Sequence, residues 1–241
     1  MDPETKLDQT NIDGVVRDAA HDAAETLDDG DTRLSFLKKA GLAGGAVVGG
    51  GALLGALTPA GAMAASGKGR PPAKFGKGDI GILNFALTLE YLEAAFYNEA
   101  SANQKKKTFI KDKQTQVFLK TVTTDENAHV AFLKKTLGSK AIAAPKVDFG
   151  GTTSKEALFV KTAVALENTG VHAYSGQALN IVNPAYVAAA LSIVTIEARH
   201  ASVAGLILNG KPTGITPDGA FDTPFTAAEV LKAVEGTGFL Q

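Results

Sequence analysis

The pattern Glu-x-x-His occurs twice, at Glu126 to His129 and at Glu197 to His200, and each copy follows a further glutamate set in an apolar helical stretch, Glu90 and Glu167. Residues three apart on an α-helix project from nearly the same side, so each motif presents a carboxylate and an imidazole together. Two helices of that kind, plus two helices giving one glutamate each, form the inward-facing ligand set of a two-metal carboxylate site in a four-helix bundle. The chain carries that inventory in the order Glu, Glu-x-x-His, Glu, Glu-x-x-His. The expectation is an all-α fold with Glu90, Glu126, His129, Glu167, Glu197 and His200 as candidate metal ligands.

Incidental surface residues would not fall on apolar stripes. Glu126 and His129 share a stripe with Val122, Val130 and Leu133, and Glu197 and His200 share one with Ile193, Ala204 and Ile207. Unpaired buried carboxylates are costly, and a bound metal removes that cost; a metal-free polar core is the alternative. The chain has no cysteine, which excludes disulfides, thiolate ligands and cysteine nucleophiles. Carboxylate and imidazole donors suit two Fe or two Mn ions without choosing between them. Lys and Arg (24) balance Asp and Glu (25), leaving no basic surplus for a phosphate backbone, so nucleic acid is not an expected partner.

Apolar periodicity predicts four long helices. The first runs from Asp79 to about Ala102, the second from about Asp112 to Leu137 with Gly138 as its C-terminal cap, and the third from near Ser154 to about Val182. The fourth follows Asn183-Pro184, an N-cap and first-turn proline, and ends at Asn209-Gly210. Short links make antiparallel hairpins of helices one and two and of helices three and four. Residues 139–153 differ: about fifteen extended residues can cover roughly 50 Å, enough for a long crossover between helices two and three. Within an expected C-terminal extension, 211–241, Thr226-Ala227-Ala228-Glu229 forms a capping box for a short helix through about Val234.

The N-terminal third reads differently. Residues 1–32 are acidic and polar, and are expected to be a disordered leader. Residues 33–64 combine a basic flank, a Gly/Ala/Val/Leu run over 40–62 and Ala62-Met63-Ala64, the composition of an export signal. The flank is similar to a twin-arginine signal, but Leu34 stands where the second arginine would be. The run is also long enough to span a bilayer, so cleaved export to the periplasm, envelope or exterior and a membrane tether through residues 40–62 are both open. Residues 65–78 then serve as a linker to a bundle at 79–210.

The two hairpins echo each other, because Tyr97 follows Glu90, and Tyr174 follows Glu167, by seven residues, or two helical turns. Leu87 to Tyr97, Asp125 to His129, Ala165 to Gly170, Ile196 to His200 and Phe221-Asp222-Thr223-Pro224 together carry a resemblance. On these segments the chain resembles the ferritin-like superfamily, above all an exported branch that includes desiccation-related proteins. The resemblance implies that Glu90 and Glu167 each hold one metal, that Glu126 and Glu197 bridge both, and that His129 and His200 complete the nitrogen ligation. It also implies that Tyr97 and Tyr174 hydrogen-bond ligand carboxylates. Glu93, three residues from Glu90, reads as a supporting carboxylate, with direct ligation as the alternative. His172 lies well round its helix from the ligand face and is expected not to ligate.

Two function classes follow. In one, the metal pair oxidises Fe(II) or consumes O2 or peroxide under stress, which makes the chain a di-metal oxidoreductase. In the other, a stress or desiccation-related envelope protein keeps the ligands for metal holding or structure. A homo-oligomer is compatible with either.

Overall fold

The computed structural model describes residues 69–210 and 214–241. The acidic leader 1–32, the export-signal-like segment 33–64 with its apolar run 40–62, and His21 lie outside the described residues. Among the described residues there are five α-helices and no named strand: α1 (Gly78–Lys106), α2 (Lys113–Leu137), α3 (Glu156–Gln177), α4 (Pro184–Asn209) and α5 (Ala227–Thr237).

Local chemistry sets most of these boundaries. Asp112 caps α2 by accepting from Thr115 N at 2.8 Å, and Asn183 caps α4 by accepting from Ala185 N, with Pro184 in the first turn. Thr226 and Glu229 form the full reciprocal capping box of α5. Three boundaries depart from expectation. Helix α1 continues past Ala102 to Lys106 because Gln104 folds back on the following loop, accepting from Phe109 N and Ile110 N at 2.9 Å each. Its last lysines then lie where the helix dipole favours positive charge. Helix α3 begins at Glu156 rather than Ser154, since residues 149–154 are tied into turns, and it ends at Gln177 before a short 3₁₀ turn, Ala178–Asn180.

Helix α1 packs on α2 and α3, and α4 on α3 and α2, while α5 packs on α3. The segment from α2 to α3 is the long crossover. Near its start Ile142 N donates to Asn84 Oδ1, and near its end Asn103 Nδ2 donates to Thr153 O. Asn84 and Asn103 are about 28 Å apart along α1 at 1.5 Å per residue. The C-terminal tail clamps this crossover through an antiparallel bridge, Val147 to Leu240, with Asp148 N bonded to Phe239 O.

The core continues past both ends of the layer that holds the inward glutamates. At one end Phe96 stacks on Phe159 at 5.4 Å between ring centroids, and Phe149, Phe118 and Tyr97 pack edge-on around the pair. At the other, residues expected to act as a linker are packed: Phe75 is buried against Phe85, and Gly69 O accepts from Gln177 Nε2 and Ala227 N. The loop before α5 lies across α3, where Gly176 has no room for a Cβ because the Phe225 carbonyl occupies that space.

Candidate metal centre

Each of four helices delivers its share of one cluster at mid-height of the bundle. Helix α1 supplies Glu90 and Glu93, α2 Glu126 and His129, α3 Glu167, and α4 Glu197 and His200. The stripe periodicity that buries Leu87, Val122, Ala163 and Ile193 also turns these polar residues inward. Glu90, Glu126, Glu167 and Glu197 are 0% exposed, which for an uncompensated carboxylate is costly.

The donor atoms fall into two overlapping groups. Glu90, Glu126, His129 and Glu197 bring one ligand atom each within 4.8 Å of one another, as do Glu126, Glu167, Glu197 and His200. Glu126 and Glu197 belong to both groups. His129 Nδ1 lies 3.2 Å from Glu90 Oε2, 3.1 Å from Glu126 Oε2 and 3.2 Å from Glu197 Oε1. His200 Nδ1 lies 3.0 Å from Glu126 Oε1 and 3.3 Å from Glu167 Oε2. Glu126 thus directs one oxygen to each histidine. Neighbouring ligands about 3 Å apart match the edge of a coordination shell whose metal–ligand distances are about 2.1 Å.

The donor chemistry fits metal ions. Glu90 Oε2, Glu126 Oε1, Glu167 Oε2, both Glu197 oxygens and His200 Nδ1 are buried without a hydrogen-bond partner, and they face the shared interior. Buried polar groups left this way are rare unless an ion completes them. Two divalent cations would balance the four fully buried carboxylates with the histidines neutral.

Two carboxylate oxygens turned away from that interior are held by tyrosines. Tyr97 O–H donates to Glu167 Oε1, and Tyr174 O–H donates to Glu90 Oε1 at 2.5 Å. Each tyrosine therefore serves the glutamate of the opposite hairpin. Glu93 is buried beside Glu197 in space left by Gly170, where an added Cβ would sit 2.6 Å from Glu197 Oε2 and 3.3 Å from Glu93 Oε1.

The electrostatics record the crowding of acids. Burial pushes the Glu126 carboxyl up to about 7, with His129 and His200 opposing the shift. Burial, then the neighbouring carboxylates, raises Glu93 and Glu197 well above the usual carboxylate range. Burial pulls the His200 imidazole down, but Glu126 and Glu167 outweigh it and carry it up to about 11, and His129 is raised in the same manner. Both tyrosine hydroxyls are pushed up by burial and by Glu167 or Glu90.

All six ligand candidates from the sequence meet in this cluster, with Tyr97, Tyr174 and Glu93 around it. His172 stays outside: its Nδ1–H donates to Thr223 O at 2.6 Å and its ring stacks on Phe225, so it anchors the loop before α5. Arg199 is exposed and donates to Thr195 O. Sequence reasoning missed Asp125, whose Oδ2 accepts from His200 Nε2 at 3.0 Å across the α2–α4 contact. Its place one residue before Glu126 rotates it off the ligand stripe, and only the neighbouring helix gives it a role.

A family model described as a ferritin-like domain matches residues 78–210, more than half of the chain. The chain belongs to the ferritin-like domain family. No curated protein matches it.

Proposed function

We propose that the domain holds a dinuclear iron or manganese centre and uses it in redox chemistry, either oxidising Fe(II) or consuming O2 or peroxide under stress. The observation that carries this reading is the pair of overlapping ligand groups sharing Glu126 and Glu197. In it, Glu90 and His129 would hold one metal and Glu167 and His200 the other, with Glu126 and Glu197 within reach of both. Two adjacent redox metals, when bound, would supply the electrons for reducing O2 or peroxide.

The chain's own residues prepare the site for that task. Tyr97 and Tyr174 fix Glu167 and Glu90 so that their remaining oxygens face inward, and Asp125 fixes the His200 ring. Burial of the four glutamates keeps bulk water from their carboxylate oxygens.

The composition of residues 33–64 supports a location outside the cytoplasm, reached by export with or without retention at a membrane. Fractionation of cells making the full chain, with N-terminal sequencing of the product, tests the location. The chemistry is tested by following Fe(II) oxidation and peroxide consumption by the Fe- and Mn-loaded protein against the Glu126→Ala/Glu197→Ala variant. Turnover present in the first and absent in the second supports the redox reading. Equal rates in both would contradict it and leave a protein that holds metal or serves a structural purpose.

A further inference from the structure

The two halves of the cluster are related by the internal repeat of the chain, but their supports are not. Asp125 immediately precedes Glu126 on α2 and accepts from His200 Nε2 at 3.0 Å. The residue immediately preceding Glu197 on α4 is Ile196, which has no acceptor to offer. His129 correspondingly has no carboxylate on Nε2 among the described residues; its contacts within 4 Å run from Nδ1 to Glu90, Glu126 and Glu197.

A histidine bonded through one ring nitrogen to a carboxylate is fixed in rotation and in which nitrogen carries hydrogen, and it becomes a stronger donor through the other nitrogen. For His200 the fixed nitrogen is Nε2, and Nδ1 is the atom facing Glu126 and Glu167. His129 is aligned only by the group it would join. The geometry also leaves His200 better ordered before metal arrives, because α2 and α4 hold Asp125 and His200 together across their packed interface.

We propose that the two metal positions are inequivalent, the position framed by Glu167 and His200 filling first and more tightly, because Asp125 positions His200. This rests on the dinuclear reading. Asp125 is a positioning residue here, acting through His200. It lines an open apolar groove of about 610 Å³ between α2 and α4, together with His200, Val117, Phe118 and Val203, so its carboxylate is reachable from solvent and a substitution there does not open the bundle core.

The test is calorimetric titration of the metal-free full chain with Mn(II), alongside Asp125→Ala and Asp125→Asn. The expected wild-type result is two separate steps, each of one Mn(II) per chain. Asp125→Ala is expected to weaken the tighter step by about 10–100-fold and to weaken the other, coupled to it through Glu126 and Glu197, by clearly less. Asp125→Asn keeps an acceptor oxygen toward Nε2–H, and its loss is expected to be smaller than that of the alanine variant. A general structural defect would instead lower both steps together and shift the metal-free thermal transition. Two Mn(II) bound with equal affinity by the wild type, or both steps weakened alike in Asp125→Asn, would overturn the inference while leaving a dinuclear centre intact. Failure of the wild type to take up two Mn(II) would overturn the dinuclear reading itself. Should Asp125→Ala not fold, the asparagine variant decides on the same criterion.

Discussion

Tyr97 on α1 gives its hydroxyl hydrogen to Glu167 on α3, and Tyr174 on α3 returns the bond to Glu90 on α1. The exchange ties the two hairpins together at the level of the acidic cluster and sets the rotamers of two buried carboxylates. It is the internal repeat of the sequence expressed as a reciprocal contact.

Tyr97→Phe and Tyr174→Phe each remove one donor and leave a buried carboxylate oxygen unpartnered. Each variant is expected to lose about 1–3 kcal/mol of stability without metal, read by chemical denaturation, and about 10–100-fold in metal affinity, read by Mn(II) titration. Equal stability and affinity for both variants and the wild type would show that the tyrosines only fill space.

Two glycines separate site from scaffold. The Cβ of Gly170→Ala would press on the Glu197 carboxylate, a side chain that can move, so the fold should persist while metal occupancy falls. In Gly176→Ala the Cβ meets the Phe225 carbonyl, which is backbone, so the loop before α5 must lift. Its thermal transition should fall while metal occupancy is retained. Elemental analysis and thermal denaturation of both variants check the contrast.

The raised acid and base values give a signed pH dependence. Folded Glu126 titrates at about 7 against an ordinary 4.5, so the metal-free fold keeps a proton that the unfolded chain sheds, and stability falls as pH rises from 4.5 through 7. His200 titrates at about 11 against 6.5; its contribution is fully present below 6.5 and lost as pH rises toward 11. Both windows slope the same way. The metal-free thermal midpoint is therefore expected to decline steadily from pH 5 to pH 9, whereas stabilisation by bound metal grows over the same range because binding displaces those protons. Thermal midpoints across pH, with and without Mn(II), read the two slopes.

Phe159 is wholly buried at the centre of the aromatic cluster that backs Tyr97. Phe159→Ala is expected to cost about 3–5 kcal/mol, a fall of roughly 10 °C in the thermal midpoint for a domain of this size. A fall under about 3 °C would mean that the cluster closes over the gap.

The four bundle helices were legible because each candidate ligand lies on an apolar stripe of period 3.6, and because Asn183-Pro184 and Gly138 punctuate them locally, as the Thr226 capping box does α5. The ends of α1 and α3 were not, since Gln104 and the turns before Glu156 act through loop contacts that periodicity does not register. The same limit applies within the site. The candidate ligands follow from spacing on one helix and the tyrosines' bonds to carboxylates from the resemblance, whereas Asp125 on His200, the choice of Glu167 as the partner of Tyr97, and Glu93 against Gly170 are pairings between helices. They depend on how the helices face each other, which no single stretch of sequence encodes.

Metal content of the full chain, measured by elemental mass spectrometry after growth with iron and manganese and compared with the Glu126→Ala/Glu197→Ala variant, tests the central claim most directly. The account expects about two Fe or Mn per chain in the wild type and loss of both in the variant, which lacks the two carboxylates common to both ligand groups. A wild type that holds no metal after growth and after reconstitution, or a variant that retains both ions, would contradict it.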